Sequence, residues 1–225
     1  IVTLHLYDLT AQKTEKIDLG AYEYIAKIQW TNDKELLTAQ TLNRRQDDLK
    51  LIQINRKNLQ TKLLLNEKSD TYINVRDYFT FLKDNSFIMS SERDGWEHLY
   101  WYNADGTLKN QITKGSFDVL NFFGVDETTQ KIFYQSTENG SINKTVYAIG
   151  LNGKNKKLLS RDSGNNNASF SRNKKFFINN FSDAKTPPIF TLHNQEGKLL
   201  KEIKDNTKLS DKLQNYYAVT KEFST

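Results

Sequence analysis

The chain has 225 residues, of which 37% are hydrophobic and 26% charged, with a net charge of +5 from 32 Lys and Arg against 27 Asp and Glu. That is enough apolar material for a sizeable core and too much for an intrinsically disordered chain, and no apolar run approaches the roughly 18 residues that a membrane helix needs. With no cysteine, disulfides, thiolate catalysis and Cys-based metal sites are excluded.

The densest basic stretch, Lys154 to Lys157, sits beside Gly153 and reads as a solvated hairpin turn, without the interleaved aromatics of a nucleic-acid surface. The first residue is Ile1, and no charged segment leads into an apolar one. The sequence therefore reads as a fragment, with any targeting signal upstream.

In chain order, Leu4 to Leu9 alternates apolar and polar residues with period two, the mark of a strand with two unlike faces. Trp30 then leads through the polar turn Thr31-Asn32-Asp33-Lys34-Glu35 to Leu36, and Leu49 to Ile54 alternates again. Phe81 leads through Lys83-Asp84-Asn85-Ser86 to Phe87, and a further strand starts near Leu99. The same two signatures return as Phe123 leading to Ile132-Phe133-Tyr134 and a strand from Val146, then as Phe170 leading to Phe176 and a strand from Ile189. Ala104-Asp105-Gly106, Asn152-Gly153 and Glu196-Gly197 supply hairpin turns. Long runs with the 3.6-residue helical period are missing, so the fold class is all-β.

The alternating strands begin near Leu4, Leu49, Leu99, Val146 and Ile189, which are 45, 50, 47 and 43 residues apart. The aromatic-turn-strand signature falls about halfway between them and keeps the same period. A period near 45 with four strands per unit is that of β-propeller blades. A single four-stranded sheet cannot cover both of its faces. Stacking blades covers them, with the recurrent aromatic filling the space between neighbouring sheets. The reading is a β-propeller fragment of about four to five four-stranded antiparallel blades over residues 1–215.

The most distinctive segment is Ser91-Glu92-Arg93-Asp94-Gly95-Trp96-Glu97-His98-Leu99-Tyr100-Trp101-Tyr102, followed by Asp105-Gly106 and Gln111-Ile112-Thr113-Lys114-Gly115. It resembles the S-E-R-D-G-x-x-H-L-Y motif of the propeller in the dipeptidyl peptidase IV family, with that family's turn glycine and Q-L-T-x-G strand behind it. Leu42-Asn43-Arg44-Arg45-Gln46, Ala168-Ser169-Phe170-Ser171 and the Thr186-Pro187-Pro188 turn are similar to the same family.

The resemblance implies part of an eight-bladed propeller that precedes an α/β-hydrolase domain with a Ser-Asp-His triad. Residues 216–225 would be the exit segment towards that missing domain. It further implies a parent that removes X-Pro or X-Ala dipeptides from peptide N-termini, resides in the periplasm or outside the cell, and pairs as a homodimer. A stand-alone propeller that binds proteins or peptides is the alternative.

No glycine is followed two positions later by serine, so the Gly-x-Ser-x-Gly nucleophile elbow is missing. The three histidines, His5, His98 and His193, fall on separate blades, and no catalytic residue, metal site or cofactor is expected. The Glu-Glu pair by which the family captures a free amino terminus has no counterpart; the adjacent acidic residues Asp47-Asp48 do not match the surrounding motif. The loop around Asn74, Val75, Arg76 and Asp77 corresponds loosely to one that faces the family's substrate pocket, which makes Arg76 and Asp77 the candidate substrate contacts. Ser91, Glu92, Arg93, Asp94, Gly95, His98 and Tyr100 are expected to be structural, with Arg93 pairing to Glu97 and His98 bonded into a turn.

Overall fold

The structure, a computed structural model, describes residues 2–213 and Tyr216. It contains a two-stranded sheet, β1 (Leu4–Asp8) and β2 (Lys13–Ile17), and four four-stranded sheets. The first four-stranded sheet is β3 (Tyr24–Trp30), β4 (Leu36–Leu42), β5 (Asp48–Asn55) and β6 (Thr61–Lys68); the next is β7 (Phe79–Phe81), β8 (Phe87–Ser91), β9 (His98–Tyr102) and β10 (Leu108–Gln111). Then come β11 (Val119–Asp126), β12 (Lys131–Ser136), β13 (Thr145–Gly150) and β14 (Lys157–Leu158), and finally β15 (Asn165–Phe170), β16 (Phe176–Ser182), β17 (Ile189–Asn194) and β18 (Leu199–Lys204). In every sheet the strands pair in chain order, so each is an antiparallel meander, the blade of a β-propeller.

Two compact units divide the described residues, the first over 2–94 with 99–110 and the second over 95–98 with the described residues from 111 onward. In the first unit, Leu37 and Ala39 of β4 with Ile52 and Ile54 of β5 meet Ile17 of β2 and Leu19 just after it. Leu42, Leu49, Leu51 and Leu64 pack instead with Phe79, Phe87, Met89, Tyr100 and Tyr102 of the following sheet. One sheet thus buries both faces, which only a stacked arrangement allows. In the second unit Phe133, Val146, Ala148 and Leu159 pack against Ala168 and Phe177.

The period read from the sequence is that of one strand position. Strands β5, β9, β13 and β17 are the third of their sheets, and β1 opens a hairpin like the one between a third and a fourth strand. The aromatic-turn signature is the first hairpin of each sheet. There an Asp or Asn side chain accepts the amide two residues on, as Asp33 from Glu35 (2.9 Å), Asp84 from Ser86 (2.9 Å), Asp126 from Thr128 (3.0 Å) and Asn173 from Lys175 (3.2 Å).

The expected aromatic filling holds for Phe81, Phe123 and Phe170, which pack on the cores. It does not hold for Trp30, which is 51% exposed at the end of the edge strand β3. A further difference is α1 (Thr207–Leu213), the one helix among the described residues. It starts behind Asn206, whose φ of 56° breaks the strand path and whose carbonyl accepts from the Leu209 and Ser210 amides at 3.0 Å. Seven residues with none buried leave no apolar stripe for periodicity to detect. Of the segment 216–225, all but Tyr216 lies outside the described residues.

Three of the four hairpins between third and fourth strands share one more feature. Their glycines, Gly106, Gly153 and Gly197, abut backbone carbonyls of the preceding sheet's last strand or the residues just after it: Leu64, Gln111 with Ile112, and Leu159. Each turn leans on its neighbour at the point where a side chain would have to go.

Candidate functional site

The motif from Ser91 to Tyr102 forms the connection between β8 and β9, and its centre is Arg93. The guanidinium donates from Nη2 to Glu67 Oε2 (2.9 Å) and to the Tyr102 hydroxyl (2.6 Å), and from Nε to Ser91 Oγ (2.9 Å). Ser91 Oγ also accepts from the Arg93 amide (3.2 Å) and donates to Glu67 Oε1 (2.5 Å). The plane of the guanidinium lies over the Tyr100 ring, 4.5 Å from its centroid. The expected partner was Glu97, across the hairpin. The carboxylate found at the guanidinium is that of Glu67 on β6, because strand stacking brings the previous blade's outer strand beside the motif.

Charge and burial act together here. Burial works against the charge on Arg93, but Tyr102, Glu67 and Tyr100 outweigh it and hold its pKa above the ordinary value. Burial also pushes the Tyr102 hydroxyl up to about 12, and burial with the nearby Asp94 carboxylate raises Tyr100. In the second unit burial raises Tyr134 as well.

A raised tyrosine pKa means that the neutral form is favoured by folding. Stability from this source is therefore complete below the unfolded value of about 10 and is lost as the pH climbs through the folded values. The urea midpoint should be level up to about pH 10 and fall steeply towards pH 12. A midpoint unchanged at the higher value would contradict it.

His98, wholly buried in the second unit, has Nδ1 3.0 Å from Thr113 Oγ1 and Nε2 2.9 Å from the Gly115 carbonyl. Since a carbonyl only accepts, Nε2 carries the proton, and in the neutral ring Nδ1 takes the threonine's. Phe117 meets the imidazole edge-on at 5.0 Å. The other histidines are held similarly, His193 by Thr191 Oγ1 (2.8 Å) and the Gly197 carbonyl (3.1 Å), and His5 by Thr3 Oγ1 (3.0 Å). No carboxylate orients any of the three in these contacts, as a triad base requires.

Glu92, Asp94 and Gly95 are exposed. Arg76 and Asp77 stand on the loop between β6 and β7 and are also exposed. The Asp77 side chain is 96% accessible and takes a 2.9 Å hydrogen bond from Lys27 of β3, which holds its carboxyl below the usual carboxylate range. Arg76 lies with Nη2 and Nε at 2.9 and 3.0 Å from the Asn74 amide, turned so that its oxygen accepts. The structure thus brings Ser91, Arg93 and Tyr100 together, adding Glu67 and Tyr102, and sets Arg76 and Asp77 on a loop outside that cluster. No sequence signal marked Glu67, since its role depends on a partner 26 residues away.

Comparison with known proteins narrows the assignment. The family profile described as "Dipeptidyl peptidase IV (DPP IV) N-terminal region" matches residues 1–188. The crystal structure of Porphyromonas gingivalis dipeptidyl peptidase 4 superposes with a TM-score of 0.88 at 34% identity, over 94% of this chain and 31% of that one. A Bacteroides ovatus structure agrees in fold, with a TM-score of 0.76 at 21% identity over 90% of this chain and 32% of its own. A dipeptidyl peptidase 4 of Arthroderma otae is 25% identical over 96% of this chain and 29% of its own length. The chain therefore spans about 30% of the length of the curated relatives it matches. Four meander blades, the Arg93-centred motif and a profile match over most of the chain give one answer: it belongs to the dipeptidyl peptidase IV N-terminal region family, as part of the β-propeller.

Proposed function

We propose that this chain is the non-catalytic propeller part of a serine exopeptidase that removes X-Pro or X-Ala dipeptides from peptide N-termini. The propeller restricts access to the active site and supports the peptidase domain. An α/β-hydrolase domain beyond residue 225 carries the nucleophile, the acid–base histidine and the oxyanion hole. Residues 216–225 lead towards it. The parent works in the periplasm or outside the cell, as a homodimer.

The observation that carries this reading is the match of residues 1–188 to the family's N-terminal region. It is supported by the histidine contacts, in which both ring nitrogens of His98 and His193 are engaged by a hydroxyl and a carbonyl. A serine-directed phosphonate incubated with the longer protein should label one serine beyond residue 225. Labelling of a serine inside this chain would sink the reading.

Within the chain, Arg76 and Asp77 are the substrate contacts, on an exposed loop whose charges are held in place by Asn74 and Lys27. An arginine that binds ground state and transition state alike raises KM when removed and leaves kcat unchanged. In the longer enzyme Arg76→Ala should raise KM for dipeptide substrates by about tenfold or more, the loss of one charged hydrogen bond. An unaltered KM removes Arg76 from the site.

A further inference from the structure

Strand β3 holds one residue more than its partner β4. Tyr24 pairs with Leu42 and Ile25 with Thr41, but the next pair is Lys27 with Gln40, so Ala26 is the extra residue of a β-bulge. Side chains alternate along a strand, and a shift of one residue moves every later one to the other face. Tyr24 packs on the core that contains Leu42, whereas Ile25 packs on the one that contains Leu37 and Ala39. Without the bulge Lys27 would share the face of Ile25. With it, Lys27 stands opposite Gln40, on the face of Tyr24 and Leu42 that meets the β7–β10 sheet.

The loop between β6 and β7 is fastened on that same side. Ile73 is buried in the core there, its amide donates to the Gln46 carbonyl at 2.8 Å, and Val75 packs against the same cluster. Asp77 follows two residues later, where Lys27 Nζ donates to its Oδ1 at 2.9 Å. The lysine side chain is 23% accessible and the aspartate's almost wholly so. The donor is thus held by the sheet, while the acceptor stands in solvent. The bond uses Oδ1 alone, and Oδ2 has no partner among the described residues.

We propose that Lys27 is a positioning residue for peptide binding: it holds the Asp77 carboxylate so that Oδ2 accepts a backbone N–H of the bound peptide. This rests on the reading of Asp77 as a substrate contact. An exposed loop carboxylate with no partner loses rotamer freedom when a ligand arrives, and a lysine on a packed strand removes part of that cost beforehand. The ammonium also offsets the charge of the carboxylate, which matches the remaining oxygen to a neutral amide rather than to a free ammonium. The bulge is the feature that makes this possible, since it turns the lysine onto the face from which the loop can be reached.

The test is steady-state kinetics of the longer enzyme with an X-Pro peptide as substrate. Lys27→Met should raise KM about two- to fivefold, the range of an exposed ion pair, and leave kcat unchanged. Lys27→Arg keeps the cation and should stay closer to the parent value. Asp77→Ala should raise KM at least as far as Lys27→Met, and combining the two should add nothing, because the lysine acts through the carboxylate. An effect of Lys27→Met that persists in the Asp77→Ala background, or a fall in kcat at constant KM, assigns Lys27 to support of the sheet and overturns the proposal. An unchanged KM for Lys27→Met beside a raised one for Asp77→Ala overturns it too, but leaves the loop as a substrate contact. An unchanged KM for Asp77→Ala removes that contact, and the proposal with it.

Discussion

Replacing Gly106 by alanine should lower stability by about 3–5 kcal/mol, read as a shift of the urea midpoint. Two penalties combine. A Cβ on residue 106 would sit 1.9 Å from the Leu64 carbonyl oxygen and 2.6 Å from its carbon, so β6 or the turn has to move. The backbone φ of 92° adds the cost of a side chain in a region that L-residues avoid.

Gly95 provides the control. Its φ is 93°, yet nothing lies within 4 Å of the position where a Cβ would point. Gly95→Ala should therefore cost only the backbone term, about 1–2 kcal/mol. Equal losses for the two variants would mean that the turn does not press on the neighbouring sheet, and that the blades are joined by their apolar faces alone.

The second large effect is expected at Arg93. Arg93→Met removes the guanidinium from Glu67, whose side chain is only 10% exposed, and from Ser91 and Tyr102. A carboxylate left in that setting loses its compensating charge while keeping most of its desolvation. Arg93 itself is 32% exposed, which weakens the pair relative to a fully buried one. A loss of about 2–4 kcal/mol is expected.

Glu67→Gln in the Arg93→Met background should recover part of that loss, since it removes the uncompensated charge. This non-additivity separates an electrostatic pair from simple packing. A loss below about 1 kcal/mol for Arg93→Met, with additive double-variant behaviour, would place the pair with ordinary surface ion pairs.

These two positions also show how far the sequence can be read. The blade period was legible in part because the third strand β5 is buried on both faces, so Leu49, Leu51, Ile52 and Ile54 leave a dense apolar signal. The first hairpins were legible because each carries a polar residue that closes its own turn. Fourth strands were not, since β18 has every residue exposed and mixes Leu199, Leu200 and Ile203 with lysines. Such an edge is shaped by avoidance of strand addition as much as by burial.

Contacts between blades were likewise hidden. Gly106 was recognisable as a turn residue, but its approach to Leu64 depends on stacking that no local pattern encodes. Arg93 stood out through its motif, whereas Glu67 lies in a strand that reads simply as Thr61–Lys68. Trp30 carried the same signature as Phe81 and is nevertheless 51% exposed, although each ends the first, edge strand of its sheet. Arg76 and Asp77 lie on a loop, where neither periodicity nor turn chemistry constrains the reading.

We propose that this chain, a member of the dipeptidyl peptidase IV N-terminal region family, depends on the longer protein for peptide hydrolysis. The most direct measurement compares release of chromophore from a Gly-Pro substrate by the 225-residue chain and by the longer protein that contains it. The longer protein should turn the substrate over and lose this activity to a serine-directed inhibitor, while the chain alone stays at background at any concentration. Turnover by the chain alone, in proportion to its concentration, would contradict the account.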